Sequence, residues 1–227
     1  KRLRSRRHLC GSTKYPASTA GKNKNRNTVL LKVMQALLCT GPLTNIALAI
    51  LLDSSFPSHV KDLYFMGGVH AIQGNSSPVS ESNVMNDPEA ASIVFRSIPG
   101  IHVIPYDITM QVILTDAEAK GIGDGFFRDT ALSCCRSHEC RKGGSPIMPM
   151  HDYLAYLALA DSGIVEYREC GIAIECSHSP CRGMMVLTKP DGHSHFYGVG
   201  VDAERARKHL ASDFKVDVAV VDPKNKH

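Results

Sequence analysis

The feature that most constrains the fold is an alternation of short apolar runs with amphipathic stretches, which begins near residue 28. Each run has the length of a buried strand, and apolar side chains recur at helical spacing in the stretches between runs. This alternation predicts an α/β fold whose sheet is covered on both faces. The predicted strands are residues 63–66, 101–105, 171–175, 184–187, 196–201 and 216–221, and the main predicted helices are residues 42–51, 88–95, 115–120, 151–160 and 202–214.

Two helix starts carry capping residues. Asp87 precedes Pro88, and Thr115 is followed three residues later by Glu118, the pattern of a capping box. Residues 69–85 are rich in Gly, Ser and Asn, which predicts a loop. Residues 121–150 show no clear pattern and stay unassigned.

Charge divides the chain into two parts. Residues 1–27 contain nine Lys or Arg and no acid, so we expect a basic disordered tail there. Residues 28–227, the predicted α/β domain, carry 17 basic and 22 acidic side chains. A net negative body argues against nucleic acid as the partner of the folded part.

Targeting and redox signals are few. No apolar stretch approaches the roughly 18 residues that span a bilayer, and residues 1–27 show no apolar segment typical of a secretory signal. We therefore expect a cytoplasmic protein whose eight cysteines are free thiols. An alternative is a zinc site, since Cys134, Cys135, His138 and Cys140 lie close together and Cys176-x₄-Cys181 follows, but the spacings fit zinc motifs poorly.

Polar residues cluster where predicted strands end, which is where open α/β sheets bind ligands. Thr40, residues 66–68, residues 75–83 and residues 106–107 occupy such positions, and His151-Asp152 begins a helix. Oxygen-rich groups of this kind suit a hard cation. Each also has a simpler structural explanation, for example Asp152 as a carboxylate facing a helix dipole.

The combination of motifs is more specific than any single residue. The chain contains TGPLTNIALAI from residue 40, LYFMGG from residue 63, GNSSPVSESNVMNDPEAASIVF from residue 74, YDITMQ from residue 106 and MHDYLAYLAL from residue 150. In content, order and spacing these segments resemble the inosine–uridine nucleoside hydrolase family over about residues 28–215. The resemblance implies an open, mostly parallel sheet flanked by helices, and a homodimer or homotetramer.

The implied activity is hydrolysis of the N-glycosidic bond of ribonucleosides with help from Ca²⁺. By resemblance, the Thr40 carbonyl and the Asp152 carboxylate bind the ion, and His151 protonates the departing base with a pKa near the usual 6.5. The positions matching residues that hold the ribose are Met66, Asn75, Glu81, Asn83 and Asp152.

The chain departs from the family at one diagnostic element. Family members carry a first strand followed by a D-x-D-P-G-x-D-D-type loop, which supplies further calcium ligands and the proposed base. Residues 1–39 contain no Asp or Glu. We therefore expect a partial α/β domain without the family's first strand or strands, and impaired hydrolysis, with Asp107 the first candidate for a replacement acid. The alternative is a non-catalytic relative that binds ribose or a protein partner.

Overall fold

The computed structural model describes residues 35–123, 125–136, 141–142, 145–190 and 192–215. The strands are β1 (Gln35–Cys39), β2 (Val60–Met66), β3 (His102–Ile104), β4 (Ile113–Thr115), β5 (Arg141–Lys142), β6 (Ser145–Pro149), β7 (Val165–Ile174), β8 (Met185–Thr188) and β9 (His195–Val201). The α-helices are α1 (Thr44–Leu52), α2 (Ser82–Asn86), α3 (Pro88–Ser97), α4 (Tyr106–Thr109), α5 (Asp116–Lys120), α6 (Gly125–Arg136), α7 (His151–Ala160) and α8 (Ala203–Phe214), and one 3₁₀ turn spans Phe56–His59.

The main sheet has six strands in the order β1-β2-β3-β9-β7-β8. The first four are mutually parallel, whereas β7 runs antiparallel to β9 and β8 runs antiparallel to β7. A separate small antiparallel sheet has the order β4-β6-β5. The expectation of an α/β fold with a mostly parallel sheet flanked by helices is confirmed.

Helices cover both faces of the sheet, because each strand alternates its side chains between the two faces. On one face Met66 and Ile104 pack in a buried cluster with Leu154 and Leu157 of α7. On the other face Phe65 packs in a second cluster built with α1 and α3. The inward face predicted for α7 is buried as expected.

Several local expectations need correction. Helix α2 lies inside residues 69–85, which the sequence predicts as a loop, and extends to Asn86. Helix α1 begins at Thr44 rather than at Pro42, and Leu51, expected on its inner face, is 67% exposed. Strand β7 begins six residues earlier than predicted. The unassigned region holds α6, β5 and β6.

Two further expectations, the tail at residues 1–27 and the strand at residues 216–221, lie outside the described residues.

Among the helices within the described ranges, none is both long enough and apolar enough to cross a membrane.

Candidate active site

Three parallel strands bring their carboxyl ends to one edge of the sheet. Cys39 of β1 lies opposite Phe65 of β2, and Met66 lies opposite Ile104 of β3. The segments that follow are also joined, because the Tyr106 amide donates a 2.9 Å hydrogen bond to the Gly68 carbonyl. Thr40, the segment after β2 and helix α4 therefore share the edge where such sheets bind ligands.

The Asn83 side chain links the ends of β1 and β2. Its Nδ2 donates to the Met66 carbonyl at 2.9 Å and lies 3.4 Å from the Thr40 carbonyl oxygen. The same atom lies 3.4 Å from Met66 Sδ. Three residues that the family resemblance assigns to the site, Thr40, Met66 and Asn83, are thus in direct contact.

Glu81 is a buried carboxylate that organises the segment around it. It accepts backbone hydrogen bonds from Gly68 at 3.0 Å, Asn83 at 2.8 Å and Val84 at 3.3 Å, and the last two cap the start of α2. Gly68 reaches this position with φ of 81°, a conformation that glycine adopts without steric cost. Helix α2 therefore forms from a polar sequence because Glu81 anchors it to the end of β2.

Electrostatics connect Glu81 with Asp152. Burial raises the pKa of Glu81, and the negative charge of Asp152 raises it further against the three hydrogen bonds that lower it. Asp152 lies in the first turn of α7 and is exposed as a residue. Partial burial of its carboxyl nevertheless raises the pKa of that group. The two carboxylates are thus close enough to repel each other.

Asn75 is exposed and has a local role in the loop before α2. Its Oδ1 accepts a 2.9 Å hydrogen bond from the Ser82 amide at the start of that helix. The neighbouring Gly74 packs so closely that an added Cβ would lie 2.1 Å from the Ser80 carbonyl oxygen. No hydrogen bond joins the Asn75 side chain to another of the predicted site residues within the described part of the chain.

His151 is held by residues that follow β3. Its Nδ1 lies 2.7 Å from Thr109 Oγ1, and its ring stacks on Tyr106 with centroids 5.3 Å apart. Burial lowers the pKa of His151 to about 4. The expectation of an ordinary pKa near 6.5 is therefore wrong, and the ring is neutral at neutral pH.

Asp107, the candidate replacement acid, is engaged in holding a loop. Its carboxylate accepts from the backbone amides of His70 at 3.1 Å and Ala71 at 2.6 Å, and from the Tyr197 hydroxyl at 3.0 Å. Burial, followed by the charge of Asp107, raises the pKa of Tyr197. The position of Asp107 after a strand was visible in the sequence, but its partners 36 and 90 residues away were not.

A cavity of about 730 Å³ opens beside His151 and Asp152. Its other walls are mainly apolar and come from α6, β6 and the end of α8, including Phe127, Met148 and Phe214. Thr40, Met66, Asn75, Glu81 and Asn83 do not line it. His151 and Asp152 thus stand between an apolar cavity and the polar strand ends.

The residues that the structure describes do not fit a calcium site. Ca²⁺ takes six to eight oxygen ligands, whereas the Thr40 carbonyl and the Asp152 carboxylate are the two groups that the resemblance offers. Over the described ranges, no group of three or more His, Cys, Asp or Glu could hold a metal ion. His138 and Cys140 of the alternative zinc site lie outside those ranges.

Comparison with known proteins finds a family model and several relatives that match this chain. The sequence model of a family described as inosine-uridine preferring nucleoside hydrolase matches residues 10–221. A probable uridine nucleosidase 2 from Oryza sativa subsp. japonica is 31% identical over 186 residues, which cover 76% of this chain and 55% of that protein. Uridine nucleosidase 1 from Arabidopsis thaliana is 34% identical over 144 residues, which cover 61% and 43%.

Solved structures show the same architecture. A purine-preferring ribonucleoside hydrolase from Gardnerella vaginalis superposes with a TM-score of 0.72 at 27% identity, covering 79% of this chain and 60% of that one. A plant nucleoside hydrolase gives a TM-score of 0.68 at 24% identity, covering 77% and 60%, and supports the fold alone. The chain spans about half the length of the curated relatives it matches.

Proposed function

This chain belongs to the inosine-uridine preferring nucleoside hydrolase family, and we propose that it hydrolyses the N-glycosidic bond of ribonucleosides to ribose and free base. The observation that carries the proposal is the polar network at the ends of β1 and β2. There Asn83 bridges the Thr40 and Met66 carbonyls, while Glu81 fixes the backbone on which Asn83 stands. Amide and carboxylate oxygens in this arrangement suit the hydroxyl groups of a sugar.

The charge distribution supports the same reaction class. Breaking the bond to the anomeric carbon leaves positive charge on the ribose ring, and nearby carboxylates stabilise such an oxocarbenium-like transition state. Burial raises the pKa of Glu81, and the negative charge of Asp152 raises it further, so the two carboxylates lie within electrostatic reach of each other. A cationic ribose bound beside them would relieve that repulsion in the transition state more than in the ground state.

No described residue is assigned to water activation. The family resemblance implies Ca²⁺, but the described residues fit that ion poorly, and we assign no step to it. Asp107 is engaged with two backbone amides and a hydroxyl, so it is not poised as a base. We therefore propose that these residues bind and orient ribose while turnover is impaired.

A second candidate function follows from the lack of an assigned general base. A relative without a positioned base could bind ribose or a protein partner without turnover. The two functions share the sugar contacts and differ in whether a bound nucleoside is cleaved, so binding and product formation need separate measurements. Two further expectations from the resemblance, a homodimer or homotetramer and a cytoplasmic location, stay predictions.

Calorimetric titration of inosine, uridine and ribose tests the binding. We expect Asn83→Ala to weaken binding by about tenfold through the loss of its hydrogen bonds. Asn86→Ala is the matched control, because Asn86 is an exposed residue of the same helix whose amide bonds only to Ser82. Absence of binding by the wild-type protein would contradict the sugar site.

Prolonged incubation with inosine tests the chemistry. Hydrolysis releases ribose and hypoxanthine in equal amounts, which chromatography resolves. Slow, equimolar release that Asp152→Asn abolishes supports hydrolysis. Tight binding with no release supports the non-catalytic alternative.

A further inference from the structure

Thr109, the last residue of α4, contacts His151 at the start of α7. Thr109 is completely buried, and its Oγ1 lies 2.7 Å from His151 Nδ1 and 3.2 Å from the Tyr106 carbonyl oxygen. Tyr106 also stacks on the imidazole with ring planes 29° apart. The ring is therefore held both by a hydrogen bond and by an aromatic face.

The proton positions in this chain of contacts can be worked out. A carbonyl oxygen can only accept, so the contact with Tyr106 is a hydrogen bond only if the Thr109 hydroxyl donates its single proton there. Donation by a threonine hydroxyl to the carbonyl three residues earlier is a common local pattern. With its proton directed to the Tyr106 carbonyl, the hydroxyl accepts from the imidazole, and this arrangement places a proton on Nδ1.

We propose that Thr109 is a positioning residue that holds neutral His151 as the Nδ1–H tautomer, so that Nε2 offers a lone pair to a bound nucleoside. The proposal rests on the proposed function for its ligand, since His151 lines the cavity beside Asp152. No described residue hydrogen-bonds Nε2. Nε2 of this tautomer accepts an O–H or N–H of the ligand.

The tautomer changes what His151 can do. Its only ring proton in the neutral form lies on Nδ1 and is engaged with Thr109. Donation from Nε2 to a departing base would therefore require a second proton on the ring. As placed by Thr109, His151 binds and orients a ligand by accepting a hydrogen bond.

Long-range ¹H–¹⁵N NMR of the full chain at pH 8 measures the tautomer directly. The eleven histidines are distinguished by the signals that disappear in His151→Gln. Two variants separate the hydroxyl from packing: Thr109→Val removes the hydroxyl at nearly equal shape, and Thr109→Ser retains it. Thr130→Val is a matched control for the tautomer, because the exposed Thr130, in the α6 wall of the same cavity, makes the same kind of bond to the Phe126 carbonyl.

We expect the wild type and Thr109→Ser to carry the proton on Nδ1, and Thr109→Val to lose that preference while Thr130→Val retains it. Inosine affinity should fall about three- to tenfold in Thr109→Val, the value of one hydrogen bond, and recover in Thr109→Ser. A proton on Nε2 in the wild type, or an unchanged tautomer in a folded Thr109→Val, would overturn the proposal. If Thr109→Val does not fold, the wild-type and Thr109→Ser spectra still decide it. Failure of the wild type to bind inosine counts against the proposed function, while the tautomer is decided independently.

Discussion

The two sides of the candidate site are built very differently. On the β2–α2 side, Glu81, Asn83 and Gly68 form hydrogen bonds of 2.8 to 3.0 Å with each other or with the Met66 carbonyl. On the β1–α1 side, β1 pairs only with β2 among the described strands, and leucines of α1 face outward. Leu48, Leu51 and Leu52 are 50%, 67% and 87% exposed.

This difference separates two tasks of a nucleoside hydrolase. Holding a sugar needs fixed polar groups, and we assign that task to the β2–α2 side, where backbone groups fix the side chains of Glu81 and Asn83. Activating water needs additional carboxylates, and the β1–α1 side has none before Asp53, at the far end of α1. Among the described strands β1 has a neighbour on one side only, and such a strand edge beside apolar leucines is a place where a further strand can add.

The largest expected effect comes from supplying carboxylates on the β1 side. An added segment whose strand pairs parallel to β1 and ends in an Asp-rich loop should raise both calcium affinity and turnover, because its oxygens would lie next to Thr40. Gain of a positioned base is worth about 10²–10⁴-fold in rate. Calcium titration and inosine hydrolysis measure the two effects.

The control for that experiment is the same segment with every Asp changed to Asn. It can pair with β1 but provides no carboxylate. Equal turnover with both segments would show that pairing alone, and not the carboxylates, limits the reaction.

Next in size is the loss of Glu81. Glu81→Ala leaves three backbone amides without their acceptor, and each unsatisfied buried donor costs about 1–3 kcal/mol. We expect the free energy of unfolding to fall by about 4 kcal/mol in urea titrations. Glu89→Ala, at an exposed position of α3, should cost much less, and equal losses would contradict the anchoring role of Glu81.

Acid should destabilise the fold through His151. Its pKa of about 4 in the folded protein lies below the unfolded value near 6.5. Above pH 6.5 neither state is protonated. As the pH falls toward 4 the unfolded state binds the proton first, so the free energy of unfolding decreases, by up to about 3 kcal/mol.

Urea titrations between pH 7 and pH 4 measure this effect of His151. His151→Gln should reduce the dependence on pH, whereas His178→Gln, which changes an exposed ring, should leave the His151 contribution in place. A dependence that survives unchanged in His151→Gln would exclude the buried imidazole as its cause.

The smallest effect on stability is expected for the exposed leucines on the β1–α1 side. Leu51→Ser and Leu52→Ser should change the free energy of unfolding by no more than about 0.5 kcal/mol, as exposed substitutions usually do. The fully buried Leu43 is the contrast, and Leu43→Ala should cost about 3 kcal/mol. A large loss from Leu51→Ser, measured by thermal melts, would mean that this face is already covered.

Long amphipathic elements were predictable from the sequence. Helices α3 and α5 begin after the predicted caps Asp87 and Thr115, each of which accepts a hydrogen bond from the backbone amide three residues later. Helix α8 begins one residue after its predicted start and is capped in the same way by Asp202. Hydrogen bonds between residues so close in the chain can be predicted from a local sequence pattern. The core face of α7 follows from helical periodicity in the same way.

The rest depends on contacts between distant residues. Helix α2 is short and polar, and its anchor to Gly68 spans 13 residues, so no local pattern predicts it. The low pKa of His151 comes from burial, which the pair His-Asp does not reveal. The family resemblance implies which residues surround the proposed sugar site, but it does not reveal the three backbone amides that donate hydrogen bonds to Glu81.

The most direct test of impaired turnover is the rate of base release from inosine and uridine by this chain, with and without Ca²⁺. We predict that the nucleoside binds, that release stays far below about 1 s⁻¹, and that adding the ion changes the rate little. A calcium-dependent rate of about 1 s⁻¹ or more, typical of enzymes, would contradict this prediction and would require a base other than Asp107 and ion ligands besides Thr40 and Asp152.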